Sequence, residues 1–288
     1  MAKPDPEASG SPEPGKTLET VGPLLLIGCG KMGGALLRGW LSRGVQADRI
    51  LVVEPRDEVR PDLEKLGVTL VAKPEALAAD TAPAVIVLAV KPQQSDAVVP
   101  SLSRFARPNA VFLSIIAGRT LAYLEGRLGH GAAIVRTMPN TPAAVGRGMT
   151  VLCANAKVTR SQRAVCGDLM SAVGRIAWIE DEAMLDPVTA LSGGGPAYVF
   201  LLVECLAQAG VEAGLPGDLA MRLARETVSG TGELLRQADD PVATLRANVT
   251  SPEGTTLEAL KVLMAPDGLQ ALMTRAIAEA TRRSRELA

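Results

Sequence analysis

Four apolar residues, Leu24-Leu25-Leu26-Ile27, run into Gly28-Cys29-Gly30-Lys31-Met32-Gly33, and the glycines run into a helical pattern. Met32, Ala35, Leu36, Gly39 and Trp40 recur at i, i+3, i+4, i+7 and i+8, one face of a helix. A strand, a glycine turn and a helix in immediate succession leave few folds open. Gly28, Gly30 and Gly33 also have the G-x-G-x-x-G spacing, and each has a task in a dinucleotide site. The first allows the tight turn, the second lets a pyrophosphate approach the backbone, and the third lets helix and strand pack closely. The helix start then offers unpaired N–H groups and a partial positive charge to the phosphates. Gly28, Cys29, Gly30, Lys31, Met32 and Gly33 are accordingly the first candidate cofactor contacts.

The pattern continues as alternating strands and helices. Strands are expected at 24–28, 50–53, 69–71, 84–90, 110–115, 133–138, 149–153 and 175–179, with helices between them at 93–104, 121–128 and 161–173. Val85-Ile86-Val87-Leu88 is a continuous apolar run, as parallel strands covered on both faces require. The fold class is therefore α/β, a Rossmann-like doubly wound sheet with its ligand at the carboxyl ends of the strands.

Three of those strand ends carry further candidates. Glu54 closes the second strand, 21 residues after Gly33, where such folds meet the adenosine ribose, and Arg56 follows it. Glu54 suits the two ribose hydroxyls of NADH and would repel a 2′-phosphate, whereas Arg56 could pair with that phosphate of NADPH. Both cofactors stay open. Ala89-Val90-Lys91-Pro92 ends the fourth strand, and Ala117 follows the fifth. Lys91 beside a nicotinamide could donate a proton, but its position before Pro92 favours a solvated or phosphate-facing residue at a helix start.

After Asp181 every periodic stretch is helical. Ser192-Gly193-Gly194-Gly195-Pro196 reads as a break, with Pro196 starting a helix over 197–214 that is apolar nearly all round. A helix without a wet face is buried on all sides, and about 100 residues give little room for that, so a partner subunit is the expected cover. Further helices are expected at 217–237 and 268–287; the basic outer face of the last, with Arg275, Arg282, Arg283 and Arg285, reads as solvated. Ser251-Pro252 has the form of an N-cap and first helical residue, placing Gly254, Thr255 and Thr256 in or near the first turn. Free N–H groups flanked by hydroxyls make a neutral cradle for a small carboxylate.

Composition removes other classes. Net charge is −1 and aromatics are 2% of 288 residues, which argues against a nucleic-acid surface. No apolar run approaches the ~20 residues of a membrane span; the richest, 197–206, is interrupted by Glu204. Cys29, Cys153, Cys166 and Cys205 lie far apart, and the single histidine, His130, stands between two glycines, so neither a disulfide frame nor a metal site is expected. Residues 1–20, rich in Pro, Gly, Glu, Ser and Lys, read as a disordered tail without the pattern of a targeting peptide, which points to the cytoplasm. The domains expected are 21–182 for the cofactor and 183–288 for dimerisation and substrate binding.

Taken together, Gly28-Cys29-Gly30-Lys31-Met32-Gly33, Ala89-Val90-Lys91-Pro92, Arg136-Thr137-Met138-Pro139-Asn140-Thr141-Pro142, and Ser192 to Ala197 leading to Asn248–Thr256 resemble the pyrroline-5-carboxylate reductase family. The likeness covers nearly everything after the tail, and the Met-Pro-Asn-Thr-Pro and Ser-Pro-Glu-Gly-Thr-Thr segments are its most specific parts. It implies an NAD(P)H-binding domain, a helical domain that interlocks into a homodimer able to build larger rings, and reduction of Δ1-pyrroline-5-carboxylate to L-proline. It also implies a substrate loop at Ser251, Gly254, Thr255 and Thr256, with Thr256 as the proton-donating catalytic residue and Asn248 on the cofactor side. Glu253 departs from a neutral carboxylate loop and is tolerable only if it points to solvent. The alternatives are a hydroxy-acid dehydrogenase of the same architecture, for which no well-placed lysine or histidine follows Asp181, and a non-catalytic NAD(P)-binding sensor.

Overall fold

Along β1 (Leu24–Ile27) all four side chains are buried, but not together. Leu24 and Leu26 join one apolar cluster and Leu25 and Ile27 a second, because successive strand residues point to opposite faces. Val85 and Val87 against Ile86 and Leu88 repeat this division in β4 (Val85–Leu88). Each such side chain contributes about 2 kcal/mol on burial, which outweighs the roughly 1–2 kcal/mol per residue needed to order the backbone.

Around this pair stand β2 (Ile50–Val53), β3 (Thr69–Val71), β5 (Val111–Ser114), β6 (Ala133–Met138), β7 (Gly148–Ala154) and β8 (Gly174–Ile179). The sheet runs β3-β2-β1-β4-β5-β6-β7-β8, parallel throughout except where β7 turns back against β6. Every strand expected from the sequence is present. The order reverses between β1 and β4, which places the switch point of a doubly wound fold at their carboxyl ends. The sheet faces are covered by α1 (Lys31–Ser42), α2 (Arg60–Glu64), α3 (Ser95–Val98), α4 (Leu121–Leu128) and α5 (Arg160–Ser171). Trp40 of α1 is fully buried, and its indole N–H donates to the Leu169 carbonyl of α5 at 2.9 Å. The helix expected over 93–104 is instead short α3 flanked by tighter 3-10 turns. Pro100 lacks an N–H and crowds the Asp96 carbonyl, so the regular ladder cannot continue.

The computed structural model describes residues 22–287; the tail expected over 1–20 lies outside them. The chain divides into a unit ending at Ala183 and a second starting at Met184. The second is entirely helical: α6 (Leu185–Val188), α7 (Gly195–Glu212), α8 (Gly217–Gln237), α9 (Val242–Asn248), α10 (Thr255–Leu263) and α11 (Leu269–Leu287). α9 carries too short a pattern to be found from sequence. The glycine cluster does not break the chain as expected. Thr189–Gly193 forms a π-helical turn, closed by the Gly194 N–H on the Thr189 carbonyl at 2.9 Å, and leads directly into α7. The Tyr198 hydroxyl donates to the Ala190 carbonyl at 2.9 Å, and a Cβ at position 194 would stand 2.5 Å from that hydroxyl. The glycine there serves packing, not termination.

This continuity also corrects the reading of the apolar run. Helical backbone extends from Glu182 to Glu212, long and apolar enough by length and composition to cross a membrane, yet only 11% of its most apolar window is buried in the single chain. Phe200 is 66% exposed and Leu201 57%, so the second unit does not bury this helix by itself. On the basic face of α11, Arg282 pairs with Glu279 and Glu286 and Arg283 with Glu286 along the helix, while Arg285 reaches Asp186 of α6 at 3.9 Å.

Candidate functional site

At the switch point, Gly28 has φ +88°, a left-handed conformation, and a Cβ there would stand 2.8 Å from the Ala89 carbonyl oxygen. A Cβ on Gly33 would collide with the Gly28 carbonyl oxygen and press on Ala89 at 3.3 Å. Both glycines are therefore demanded from inside the protein. Gly30 is different: its φ is −72°, and a Cβ there would meet nothing within 4 Å. No internal contact needs a glycine at this point, whereas a phosphate approaching the backbone would.

Gly30 is the N-cap of α1, with no side chain capping the helix and no acidic residue in its first turn. Helix starts ordinarily satisfy their free N–H groups with such side chains. This one leaves its N–H groups and positive dipole end to an anion, with Lys31 exposed beside them. The donor set fits a pyrophosphate.

Glu54, at the end of β2, is only 2% exposed, and its carboxylate reaches back to the turn. Oε2 accepts the Cys29 N–H at 2.8 Å. The Arg56 guanidinium closes on both oxygens, Nε to Oε1 and Nη2 to Oε2, each at 2.9 Å, and the Arg56 N–H donates to Oε1 at 3.1 Å. Burial works to raise the Glu54 pKa, but the Arg56 side chain and the two backbone N–H groups outweigh it and hold the carboxyl below its ordinary range. Burial and then the Glu54 charge push the neighbouring Cys29 thiol up to about 11, so it stays protonated and unreactive at neutral pH.

Beyond β4, Ala89 and Val90 are half-buried and Lys91 is exposed, its N–H on the Gln94 side-chain oxygen at 3.3 Å. Ala117 is exposed beyond β5, next to Gly118 at φ +69°. Arg119 joins these two strand ends, a role no spacing or motif announces. Its Nη2 donates to the Pro92 carbonyl at 3.0 Å and its Nε to the buried Ser95 hydroxyl at 2.8 Å. Arg119 and Arg127 lie on the Tyr123 ring at 4.5 and 3.6 Å from its centroid, and both pair with Asp96. The Tyr123 hydroxyl and then Arg127 hold the Asp96 carboxyl below its usual range.

The Arg136–Pro142 motif does structural work. Buried Arg136 pairs with Glu182 at 2.7 Å, and the same Glu182 oxygen accepts the Leu121 N–H that opens α4. The Thr137 hydroxyl donates to the Ser114 carbonyl at 3.1 Å, and the Asn140 side chain accepts the Met149 N–H at 2.9 Å.

In the second unit, Ser251 is not the N-cap expected of it. The Gly254 N–H closes a turn on the Ser251 carbonyl at 3.1 Å, and α10 starts at Thr255 with Gly254 as its N-cap. Proline at the second turn position and a left-handed residue at the third fit a type II turn, which separates α9 from the start of α10. The third position is Glu253, φ +59°, the only non-glycine with positive φ among the described residues. A glutamate held there costs on the order of 1–3 kcal/mol, a strain that concentrates at ligand sites. Thr255 and Thr256 are exposed in the first turn of α10, where N–H groups have no partner within the helix. Asn248 ends α9, exposed, three residues before this turn. The turn brings Ser251, Gly254, Thr255 and Thr256 together in one unit; Gly28, Cys29, Gly30, Glu54 and Arg56 gather in the other.

Residues 182–287 match the family model for pyrroline-5-carboxylate reductase dimerisation, and residues 24–118 match that of coenzyme F420-dependent NADP oxidoreductases. A Pseudomonas aeruginosa pyrroline-5-carboxylate reductase is 40% identical over 266 residues, 92% of this chain and 96% of that protein. Among solved structures, a Coxiella burnetii pyrroline-5-carboxylate reductase superposes with a TM-score of 0.87 at 34% identity, covering 93% of this chain and 99% of that one. A Plasmodium falciparum pyrroline carboxylate reductase with NADP bound gives 0.77 at 30% identity, covering 93% and 98%.

Proposed function

The chain belongs to the pyrroline-5-carboxylate reductase family, and from that premise we propose that it reduces Δ1-pyrroline-5-carboxylate to L-proline with NAD(P)H. The observation that carries this reading is the uncapped, acid-free start of α1 behind a glycine whose open face the protein itself does not use. It is an anion site with the shape a pyrophosphate needs. When bound, the nicotinamide supplies the hydride that reaches C5 of the cyclic imine.

Lys31, Met32 and the N–H groups of the α1 start hold the pyrophosphate, and Glu54 and Arg56 mark the adenosine end. Ala89, Val90, Lys91, Pro92 and Ala117 border the nicotinamide end, braced by Arg119. In the second unit the Thr255 and Thr256 N–H groups and the Ser251 hydroxyl hold the substrate carboxylate. The Thr256 hydroxyl keeps a proton on the ring nitrogen as negative charge arrives at the C=N bond. A threonine is a weak acid, so most of the rate comes from orientation. Exposed Glu253 turns its charge to solvent.

NAD(P)H oxidation followed with pyrroline-5-carboxylate is the direct test. Substrate-dependent oxidation is expected, and its absence with both nucleotides overturns the reading. The exposed apolar residues of α7 support a homodimer, and the unpaired thiols support a reducing, cytoplasmic setting. Sedimentation at micromolar concentration is expected to show no monomer; a stable monomer overturns the dimer.

A further inference from the structure

Glu54 stands where a doubly wound fold ordinarily offers an acid to the adenosine ribose. Its carboxylate is already full. Two carboxylate oxygens provide about four acceptor positions. Here the Cys29 N–H and Arg56 Nη2 take those of Oε2, and the Arg56 N–H and Nε take those of Oε1. A ribose hydroxyl could bind only by displacing a charge-assisted bond of a buried group.

We infer that Glu54 is a positioning residue: it acts on the cofactor through the Cys29 amide, not through the ribose. The Gly28–Cys29 peptide follows the left-handed Gly28, and nothing in its own backbone prevents it from turning. The bond from Cys29 N–H to Glu54 fixes that peptide between β1 and β2, so the N–H groups that follow it face the phosphates. Arg56 neutralises the carboxylate and grips both ends of the bond, reaching Glu54 and also the Cys29 carbonyl at 3.4 Å. The inference rests on the reading of the glycine turn as the dinucleotide site.

The test separates the two roles by deleting the ribose hydroxyls from the ligand instead of the protein. Dissociation constants are measured by fluorescence titration for NADH and for its 2′,3′-dideoxyadenosine analogue, on wild type, Glu54→Ala and Glu54→Gln. A positioning role predicts that Glu54→Ala weakens both ligands by the same factor, about tenfold or more for a lost hydrogen bond to a charged group. The far-UV circular dichroism spectrum is expected to stay that of wild type, which a general loss of structure would not allow. Glu54→Gln retains one acceptor oxygen and is expected to lose less, again equally for both ligands; it also serves if the alanine variant does not fold. A loss confined to NADH makes Glu54 a ribose ligand and overturns the inference, as does no loss for either ligand. Failure of the underlying site reading looks different: Gly30→Val would then bind NADH as wild type does.

Discussion

Thr256→Ala is expected to lower kcat on pyrroline-5-carboxylate by about one to three orders of magnitude, the range for loss of a positioned proton-transfer group. Thr256 lies in the first turn of α10, a helix that starts directly after the turn carrying the left-handed Glu253. Nucleotide affinity is expected to stay the same, because the glycine turn and its helix belong to the other unit. Gly254→Val gives the contrasting result. A Cβ at Gly254 falls on the Ser251 hydroxyl, so valine is expected to push apart the turn proposed to hold the carboxylate and to raise KM more than it lowers kcat. The carboxylate is held in ground and transition states alike, whereas the hydroxyl matters most as charge develops at nitrogen. Steady-state kinetics on both variants checks this, and wild-type turnover in Thr256→Ala removes the residue from the mechanism.

Gly33→Val and Gly30→Val are expected to divide stability from binding. At position 33 the new Cβ meets the Gly28 carbonyl oxygen, which the Cys29–Glu54 hydrogen bond of the same peptide holds in place, and α1 must move off the sheet. Overpacking of this kind costs about 1–3 kcal/mol, and the displaced N–H groups weaken NAD(P)H binding by about ten- to a hundredfold. At position 30 the protein has room for a side chain and φ is ordinary, so Tm stays within a degree or two, about what a surface change causes. The pyrophosphate no longer has that room, and nucleotide affinity falls by a similar factor. Thermal melts with nucleotide titrations check both variants. Unchanged affinity in Gly30→Val would place the phosphates elsewhere.

Much of this site can be read in the chain before any fold is known, and the reasons are local. The G-x-G-x-x-G turn is contiguous, and its meaning depends only on the strand before it and the helix after it. Residues 251–256 are contiguous as well, but contiguity does not settle their local geometry. Pro252 can open a helix or occupy a turn, and the left-handed conformation of Glu253 that decides between them carries no residue signal, because glutamate rarely adopts it. Ser192–Pro196 misleads for a related reason. Glycine and proline usually end helices, but here the glycine at 194 makes room for Tyr198 inside a continuous one.

The sequence by itself determined the eight strands, the burial of central strands such as β1, β4 and β5 on both faces, the helical character after Asp181 and the glycine turn between β1 and α1, because periodicity and glycine spacing act within a few residues. Only the tertiary structure decided what Glu54 does. Its partners are Arg56, two residues away, and Cys29, 25 residues away on the neighbouring strand's exit. Whether a carboxylate at the end of β2 is free for a ligand depends on whether those donors fill it, and that depends on the parallel register of β1 and β2. The same holds for Arg119, which reaches Pro92 across 27 residues because β4 and β5 lie side by side. Hydrogen bonds between strand ends are set by which strands are neighbours, and no pattern of residue types along one strand records its neighbour.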